Sequence, residues 1–287
     1  MNILVLGASG MAGHVISLVL RENGFDVDTL SSKNLLDKDT VLIDVMNLNE
    51  LQNFLERKKY EVVINCIGVL VKQSDERKDL ASYLNAFLPH FLENFYKNSG
   101  TKVIHLSTDC VFSGENPPYQ EDSAYDGKLF YDRSKALGEI INNKDLTFRM
   151  SIIGPDLHFD GIGLFNWFLG QTGQISGYTK TIWSGITTIE LAKGIIEAIN
   201  QNLTGLYHLV PNTNISKFDL LNIIKHTFRR DDISIEPNDD IVIDKTLVNT
   251  RKDFNFVIND YQKMIEEMFA WISQHKNLYP HYKTIDE

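Results

Sequence analysis

Residues 2–13 read NILVLGASGMAG, and residues 14–24 continue as HVISLVLRENG. An apolar run that ends in closely spaced glycines, followed by apolar residues at helical spacing, predicts a strand, a tight turn and a helix. Glycines let an anion approach the backbone, and free amides at a helix start favour its charge. The stretch predicts a dinucleotide-binding unit, and a purely structural turn is the alternative. The predicted cofactor contacts here are Gly7, Ser9, Gly10, Met11 and Gly13.

Strands alternate with helices along the first 150 residues. Further apolar strands are predicted at DTVLIDVMN, EVVINCIG, TKVIHLSTD and DLTFRMSII, and a long helix is predicted from about Arg77 to Asn98. This alternation requires parallel pairing with helices on both faces of the sheet. The predicted fold class is therefore α/β, with a doubly wound parallel sheet.

The character of the sequence changes after Pro155. A short aromatic helix precedes SGYTKTIWSGITT, which we interpret as a connection, and later helices flank a charged, β-rich stretch. We predict a smaller, discontinuous α/β lobe that closes over the strand ends and leaves a cleft for a substrate. The predicted cofactor domain covers 1–154 and about 183–210, and the substrate-binding lobe covers 155–182 and 211–287.

Composition narrows the class of protein. A chain of 287 residues with 43% hydrophobic and 23% charged residues is expected to be globular, with a core large enough for one large domain or two. Its formal net charge of −10 argues against nonspecific binding to nucleic acid or anionic membranes. No apolar run approaches the roughly 20 residues that span a bilayer. Two cysteines, outside any metal-ligand spacing, fit a reducing cytoplasm, which is the predicted location.

Residues at the ends of the next strands are predicted to complete the cofactor site. Lys33, with the hydroxyl of Ser32, suits a 2′-phosphate and favours NADPH. NADH is the alternative, because the nearby Asp28 could accept hydrogen bonds from its ribose. Small or apolar residues at strand ends let a cofactor lie across the sheet edge. The further predicted contacts are Asp44, Val45, Cys66, Ile67, Gly68 and Asn85, of which Asn85 also suits a buried role in holding the sheet or the active-site helix.

A tyrosine and a lysine four residues apart supply the chemistry. Tyr131 and Lys135 would share one face of a helix, downstream of the hydroxyl-rich STD at Ser107–Asp109. We expect the ammonium to lower the pKa of the phenol from its usual value of about 10. Such a pair suits proton exchange with a carbonyl or alcohol oxygen.

Taken together, GASGMAG, STDCVFSG, YDRSKALGE, WSGITTIELAKGI, GLYHLV and DKTLVNTRKDF resemble the extended short-chain dehydrogenase/reductases, and within them the dTDP-4-dehydrorhamnose reductase family. The resemblance covers nearly the whole chain and implies a Rossmann-type fold. It implies that Thr108, Tyr131 and Lys135 are catalytic, that Tyr131 and Lys135 also contact the cofactor, and that NAD(P)H reduces C4 of a nucleotide-linked 4-keto-6-deoxyhexose.

The resemblance also implies substrate contacts, with departures. Cys110 stands where the family commonly has tyrosine, and Lys245 stands where arginine is usual, so Arg251 is our preferred alternative phosphate partner. Asp109 would contact the sugar or fix the loop, and a structural N-cap role is the alternative. Trp183 would be a wall for the sugar or base, or a core residue.

Two other functions stay open. A UDP-linked N-acetylated 4-keto sugar could replace the dTDP-linked one, and some relatives are non-catalytic NADP-binding regulatory subunits. The expected partner is a nucleotide-diphosphate sugar, with no nucleic acid and no membrane. Whether the chain is a monomer or a homodimer stays open.

Overall fold

A parallel sheet of seven strands forms the centre of the molecule, in a computed structural model that describes residues 1–282. The first strand, β1 (Asn2–Leu6), ends at the glycine turn, and helix α1 (Met11–Glu22) follows it directly. This order confirms the strand, turn and helix predicted from the sequence. The other strands of the sheet are β2 (Asp26–Ser31), β3 (Val41–Leu42), β4 (Val62–Asn65), β5 (Lys102–Thr108), β6 (Leu146–Met150) and β11 (Gly205–His208).

Helices cover both faces of this sheet, because its strands are apolar on both sides. Along β1, Ile3 and Val5 belong to one buried cluster, whereas Leu4 and Leu6 belong to another. Such alternation is the geometry of a strand buried on both faces. The prediction of a doubly wound sheet is therefore confirmed. Besides α1, the α-helices of the described chain are α2 (Leu48–Arg57), α3 (Val71–Glu76), α4 (Lys78–Ala81), α5 (Leu88–Phe95), α6 (Phe130–Leu137), α7 (Leu164–Leu169), α8 (Thr188–Asn200), α9 (Lys217–Thr227) and α10 (Tyr261–Gln274).

The strand order is β11-β6-β5-β4-β1-β2-β3, and every pair in this sheet is parallel. From β1 the chain adds β2 and β3 on one side, and it then returns to add β4, β5 and β6 on the other side of β1. Ligands of open α/β sheets bind outside the carboxyl ends of the strands where the order reverses. Here that point lies between β1 and β4.

Short strands build three small sheets beyond the main one. The predicted connection over SGYTKTIWSGITT is wrong, because the segment forms or borders three strands. The strands that pair with them lie far away along the chain, so no local pattern indicates the pairing. These strands are β8 (Gly173–Tyr178) with β13 (Ile233–Asn238), β9 (Thr181–Trp183) with β12 (Ile215–Ser216) and β14 (Ile243–Asp244), and β10 (Ile186–Thr187) with β7 (Ile152–Ile153).

The predicted division into lobes stays a prediction. β11 joins the central sheet, whereas β13 and β14 join the small sheets. Residues 283–287 of the predicted substrate lobe lie outside the described residues. Among residues 1–282, no helix combines the length and the apolar character that crossing a membrane requires.

The long helix predicted from Arg77 to Asn98 is interrupted by one wide turn. Residues Ser82–Phe87 form a π-helical turn between α4 and α5. Pro89 has no N–H and cannot donate to the carbonyl of Asn85 four residues earlier, which favours such a turn. Gly138, at the end of α6, packs directly against this carbonyl, since a Cβ on Gly138 would lie 1.9 Å from the Asn85 oxygen.

We expect Gly138→Ala to destabilise the protein by about 1–3 kcal/mol, because the methyl group would push α6 away from the π turn. The free energy of unfolding in denaturant measures the effect. Gly100→Ala is the matched control, because a Cβ at Gly100 would meet nothing within 4 Å. Equal stability of the two variants would contradict the close contact between α6 and the π turn.

Candidate active site

Three predicted motifs meet at the carboxyl edge of the sheet. The strands β5, β4 and β1 are neighbours, and each ends in one of these motifs. The glycine turn follows β1, Cys66 to Gly68 follow β4, and Thr108 ends β5. Because the strands are parallel, their carboxyl ends lie side by side.

The glycine turn has the shape of an anion-binding loop. Gly7 has a φ of +81°, which other residues rarely adopt, and a Cβ on Gly13 would lie 2.2 Å from the Gly7 carbonyl oxygen. Helix α1 starts after Gly10, and no side chain of the described residues caps its first amides. These amides are therefore available to a phosphate group. Ser9 and Met11 are half-buried beside the turn.

The end of β2 presents a free cation. Ser32 and Lys33 are both exposed, and in residues 1–282 the Lys33 ammonium has no hydrogen-bond or ion-pair partner. Asp28 lies three residues before the end of the strand, where Tyr60 donates a hydrogen bond to it at 2.8 Å and Lys58 pairs with it at 3.1 Å. The Asp28 carboxylate, on which the NADH alternative rests, thus already has two partners within the protein.

The strand ends on either side differ in exposure. Asp44 is exposed and accepts a hydrogen bond from the Met46 amide at 3.0 Å, whereas Val45 is buried. At the end of β4, Cys66 and Ile67 are half-buried and Gly68 is exposed. Burial raises the pKa of the Cys66 thiol to about 12, so the thiol is a poor nucleophile.

Asn85 lies behind the site and not on its surface. Its side chain is completely buried in the π turn. Its amide oxygen accepts from the Val69 N–H at 2.9 Å, and its amide nitrogen donates to the Val69 carbonyl at 3.2 Å and to Ser134 Oγ at 3.0 Å. All three contacts are with protein atoms. The predicted role in holding the active-site helix therefore fits the geometry, and the predicted cofactor contact does not.

The structure brings Thr108 and Tyr131 together. The Thr108 hydroxyl lies close enough to the phenol of Tyr131 to lower its pKa, and Tyr131 is buried on the first turn of α6. The same hydroxyl donates to Asp109 Oδ1 at 3.2 Å and accepts from the Cys110 N–H at 3.2 Å. The loop after β5 thus holds the threonine hydroxyl beside the tyrosine.

The expected lowering of the Tyr131 pKa is wrong. Burial raises the pKa of Tyr131, and Cys110, Asp109 and Asp132 add to this, whereas the nearby Thr108 hydroxyl opposes it. The Lys135 ammonium is directed elsewhere: it donates to the Leu106 carbonyl at 2.7 Å. Four-residue spacing places two side chains on one face, but packing decides whether they touch.

Lys135 is itself strongly affected by burial. Burial lowers the pKa of Lys135 to about 8, although Glu139 and Cys66 act in the opposite direction. A Cβ on Gly68 would lie 4.0 Å from the Lys135 ammonium nitrogen. The lysine therefore stands next to the end of β4, close to the predicted cofactor path.

Two lysines of the later part of the chain face Asp109. Burial raises the pKa of Asp109, while the ammonium groups of Lys245 and Lys217 lower it. Lys217 Nζ lies 5.0 Å from the centre of the Trp183 ring, and burial lowers the pKa of Lys217 to about 8. Neither lysine makes a hydrogen bond or an ion pair within residues 1–282. Both ammonium groups are thus available to an anion.

Lys217 is not among the predicted site residues, although the sequence carries a signal for it. Lys217 is the first residue of α9, directly after the capping residue Ser216. A cation at a helix N-terminus works against the helix dipole, so a lysine at that position calls for another explanation.

Trp183 is mostly a packing residue. It is 4% exposed, its indole N–H donates to Ser151 Oγ at 2.8 Å, and its ring lies 5.8 Å from that of Tyr261. One of the two predicted roles, a core residue, is therefore evident. Its contact with Lys217 also ties it to the cation beside Asp109.

Arg251 lies at the opposite edge of the sheet, so its predicted role as phosphate partner does not fit the structure. Its guanidinium donates to the Thr204 carbonyl at 2.6 Å and to the Leu206 carbonyl at 2.9 Å, at the amino end of β11, and pairs with Asp253. These bonds occupy its fork of donors. Lys217, and not Arg251, lies beside Asp109.

Comparison with known proteins agrees with this fold. Residues 1–153 match the family described as RmlD substrate binding domain. A spore coat polysaccharide biosynthesis protein of Bacillus subtilis is 27% identical, over 75% of this chain and 74% of its own. A dTDP-4-dehydrorhamnose reductase of Salmonella typhimurium is 26% identical, over 82% of this chain and 81% of its own.

A solved structure shows the same fold. The dTDP-4-dehydrorhamnose reductase of Bacillus anthracis, crystallised in complex with NADP, superposes with a TM-score of 0.79 at 21% identity, over 94% of this chain and 99% of its own. The Rossmann-type sheet implied by the resemblance is thereby confirmed. The family match spans more than half of the chain, from β1 to β7. The chain belongs to the RmlD substrate binding domain family.

Proposed function

We propose that this chain is an NADPH-dependent oxidoreductase that reduces the C4 ketone of a nucleotide-activated 4-keto-6-deoxyhexose, for the synthesis of a surface polysaccharide. The observation that carries the proposal is the position of the Thr108 hydroxyl beside the Tyr131 phenol, at the sheet edge that also carries the glycine turn. The names of the relatives, a dTDP-4-dehydrorhamnose reductase and a polysaccharide biosynthesis protein, support the same chemistry.

The residues at the carboxyl edge suit a dinucleotide. The uncapped amides at the start of α1 would hold its diphosphate, and Lys33 with Ser32 would hold a 2′-phosphate. Asp44 and Val45 would flank the adenine, and Cys66 to Gly68 would line the path toward Lys135. When bound, the reduced nicotinamide would supply the hydride. The engagement of Asp28 with Tyr60 and Lys58 favours NADPH over NADH.

Thr108 and Tyr131 would handle the oxygen of the ketone. The raised pKa of Tyr131 keeps the phenol protonated at neutral pH, so it can donate its proton to the developing alkoxide. Thr108 would hydrogen-bond the same oxygen and orient it. Lys135 would hold the nicotinamide ribose and stabilise the phenolate left after proton transfer.

The small sheets and α9 would bind the nucleotide sugar. Lys217 and Lys245 carry the positive charges beside Asp109, which suits an anionic diphosphate in a chain whose formal net charge is −10. Asp109 and Cys110 would contact the sugar, and Trp183 would support Lys217. We propose the predicted division into cofactor and substrate lobes on the same basis.

Incubation of the purified protein with dTDP-, UDP- and GDP-linked 4-keto sugars, followed by the absorbance of NADPH, tests the proposal. The UDP panel includes the N-acetylated sugar of the alternative function. Oxidation of NADPH with at least one sugar is expected. Binding of NADPH without oxidation by any of them would instead support a non-catalytic regulatory subunit.

We expect Tyr131→Phe to lower turnover by about 10²-fold or more, because general acid catalysis contributes roughly that much. NADPH binding should change little, as fluorescence titration of the cofactor will show. Tyr96→Phe is the matched control, because the buried Tyr96 hydroxyl has no hydrogen-bond partner in residues 1–282. Near-normal turnover of the Tyr131 variant would remove the phenol from the mechanism.

Replacement of Lys33 by alanine should weaken NADPH binding about tenfold and leave NADH binding unchanged, because one charged hydrogen bond to the 2′-phosphate is lost. Dissociation constants for both cofactors measure this. Lys97→Ala, another exposed lysine after α5, serves as the control for a general change in charge. Equal losses for NADPH and NADH would show that Lys33 does not contact the 2′-phosphate.

We predict that Lys217→Met raises KM for the nucleotide sugar about tenfold with little change in kcat, because binding energy is lost equally from ground state and transition state. Steady-state kinetics measure both constants. Lys225→Met, in the last turn of the same helix and about 12 Å along its axis, is the control. An unchanged KM would place the anionic group of the substrate elsewhere.

A further inference from the structure

A buried histidine lies next to the proposed catalytic lysine. His105 is completely buried on β5, three residues before Thr108, and β5 pairs it directly with Asn65 of β4. The Asn65 amide nitrogen is 3.2 Å from His105 Nδ1, and Lys135 Nζ is 3.4 Å from His105 Nε2. The imidazole therefore bridges the sheet and the active-site helix.

The hydrogen atoms of this chain of contacts can be assigned. The Ile67 N–H can only donate, and it faces Asn65 Oδ1 at 3.1 Å, which fixes that atom as the oxygen. The other end of the amide is then the NH₂ group, and it donates to His105 Nδ1. Burial lowers the pKa of His105 well below its usual value, so the ring is neutral. Its single proton consequently resides on Nε2.

This tautomer has a consequence for Lys135. The Nε2–H of His105 points at the lysine nitrogen, and an ammonium has no lone pair with which to accept it. A neutral amine does have one, and it can still donate to the Leu106 carbonyl at 2.7 Å. The imidazole thus favours the amine over the ammonium.

We propose that His105, oriented by Asn65, is a positioning residue that aims Lys135 along β5 and makes the lysine easier to deprotonate. This inference rests on the proposed function for the role of Lys135 in turnover. The contacts themselves belong to the free protein, so they can be tested without any substrate.

Other features of the surroundings also influence the pKa of Lys135. Glu139, just after α6, and Cys66 at the end of β4 favour the ammonium form of Lys135, whereas burial disfavours it. His90 on α5 lowers the pKa of His105. The net result is a lysine pKa of about 8. The ammonium is present below that pH and is lost above it. A step that requires the ammonium therefore weakens as the pH rises through about 8.

Nitrogen-15 NMR of the histidine side chains in the full-length wild-type protein tests the tautomer directly. We expect the His105 ring to carry one proton, on Nε2, with Nδ1 unprotonated. A proton on Nδ1, or on both nitrogens at neutral pH, would overturn the inference. This readout holds even if no 4-keto sugar is reduced, in which case only the proposed function fails.

The pH dependence of kcat/KM provides the second test. In His105→Leu the pH at which activity falls should rise by about one unit, because the Nε2–H group that opposes the ammonium is gone. Asn65→Asp should move it upward as well, because a carboxylate accepts from Nδ1–H and leaves Nε2 free to accept from the ammonium. His208→Gln is the control, because it removes a buried histidine that bonds Arg149 and Val248 and not Lys135. The pH at which activity falls should be unchanged in this variant. An unmoved profile in His105→Leu would overturn the inference.

Discussion

The contact between helix α6 and the π turn is the constraint on which the rest of the site depends. The missing N–H of Pro89 favours the π turn, and Gly138 lets α6 approach the Asn85 carbonyl there. The Asn85 side chain then ties α6, through Ser134, to the loop after β4, through Val69. The helix that carries the tyrosine and the lysine is thus held against the loop after β4.

Burial decides the chemistry that follows from this placement. It raises the pKa of Tyr131 and lowers that of Lys135, so both groups are displaced toward their neutral forms. A buried phenol of this kind stays protonated, so it can donate a proton to an oxygen that is placed beside it. The cations of Lys217 and Lys245 lie on the other side of Asp109, where an anionic substrate would compensate them.

Much of this could be predicted from the sequence, because several signals are local. The glycine turn, the strand that ends in Thr108 and the helix with Tyr131 and Lys135 lie where the patterns indicated. The misses have a common cause. Arg251 bonds carbonyl oxygens at the amino end of β11, and the strands of the predicted connection pair with segments far along the chain. Neither relation leaves a local pattern.

The sequence by itself determined the order of elements through the first 150 residues, the sheet with helices on both faces and the identity of the reactive groups, since periodicity and residue type express these locally. Only the tertiary structure decided which groups touch. It placed Lys135 on the Leu106 carbonyl and beside His105, not on the phenol, and it brought Lys217 to Asp109. The reason is physical: pKa values and contacts depend on burial and on neighbours from distant segments, and spacing along the chain specifies neither.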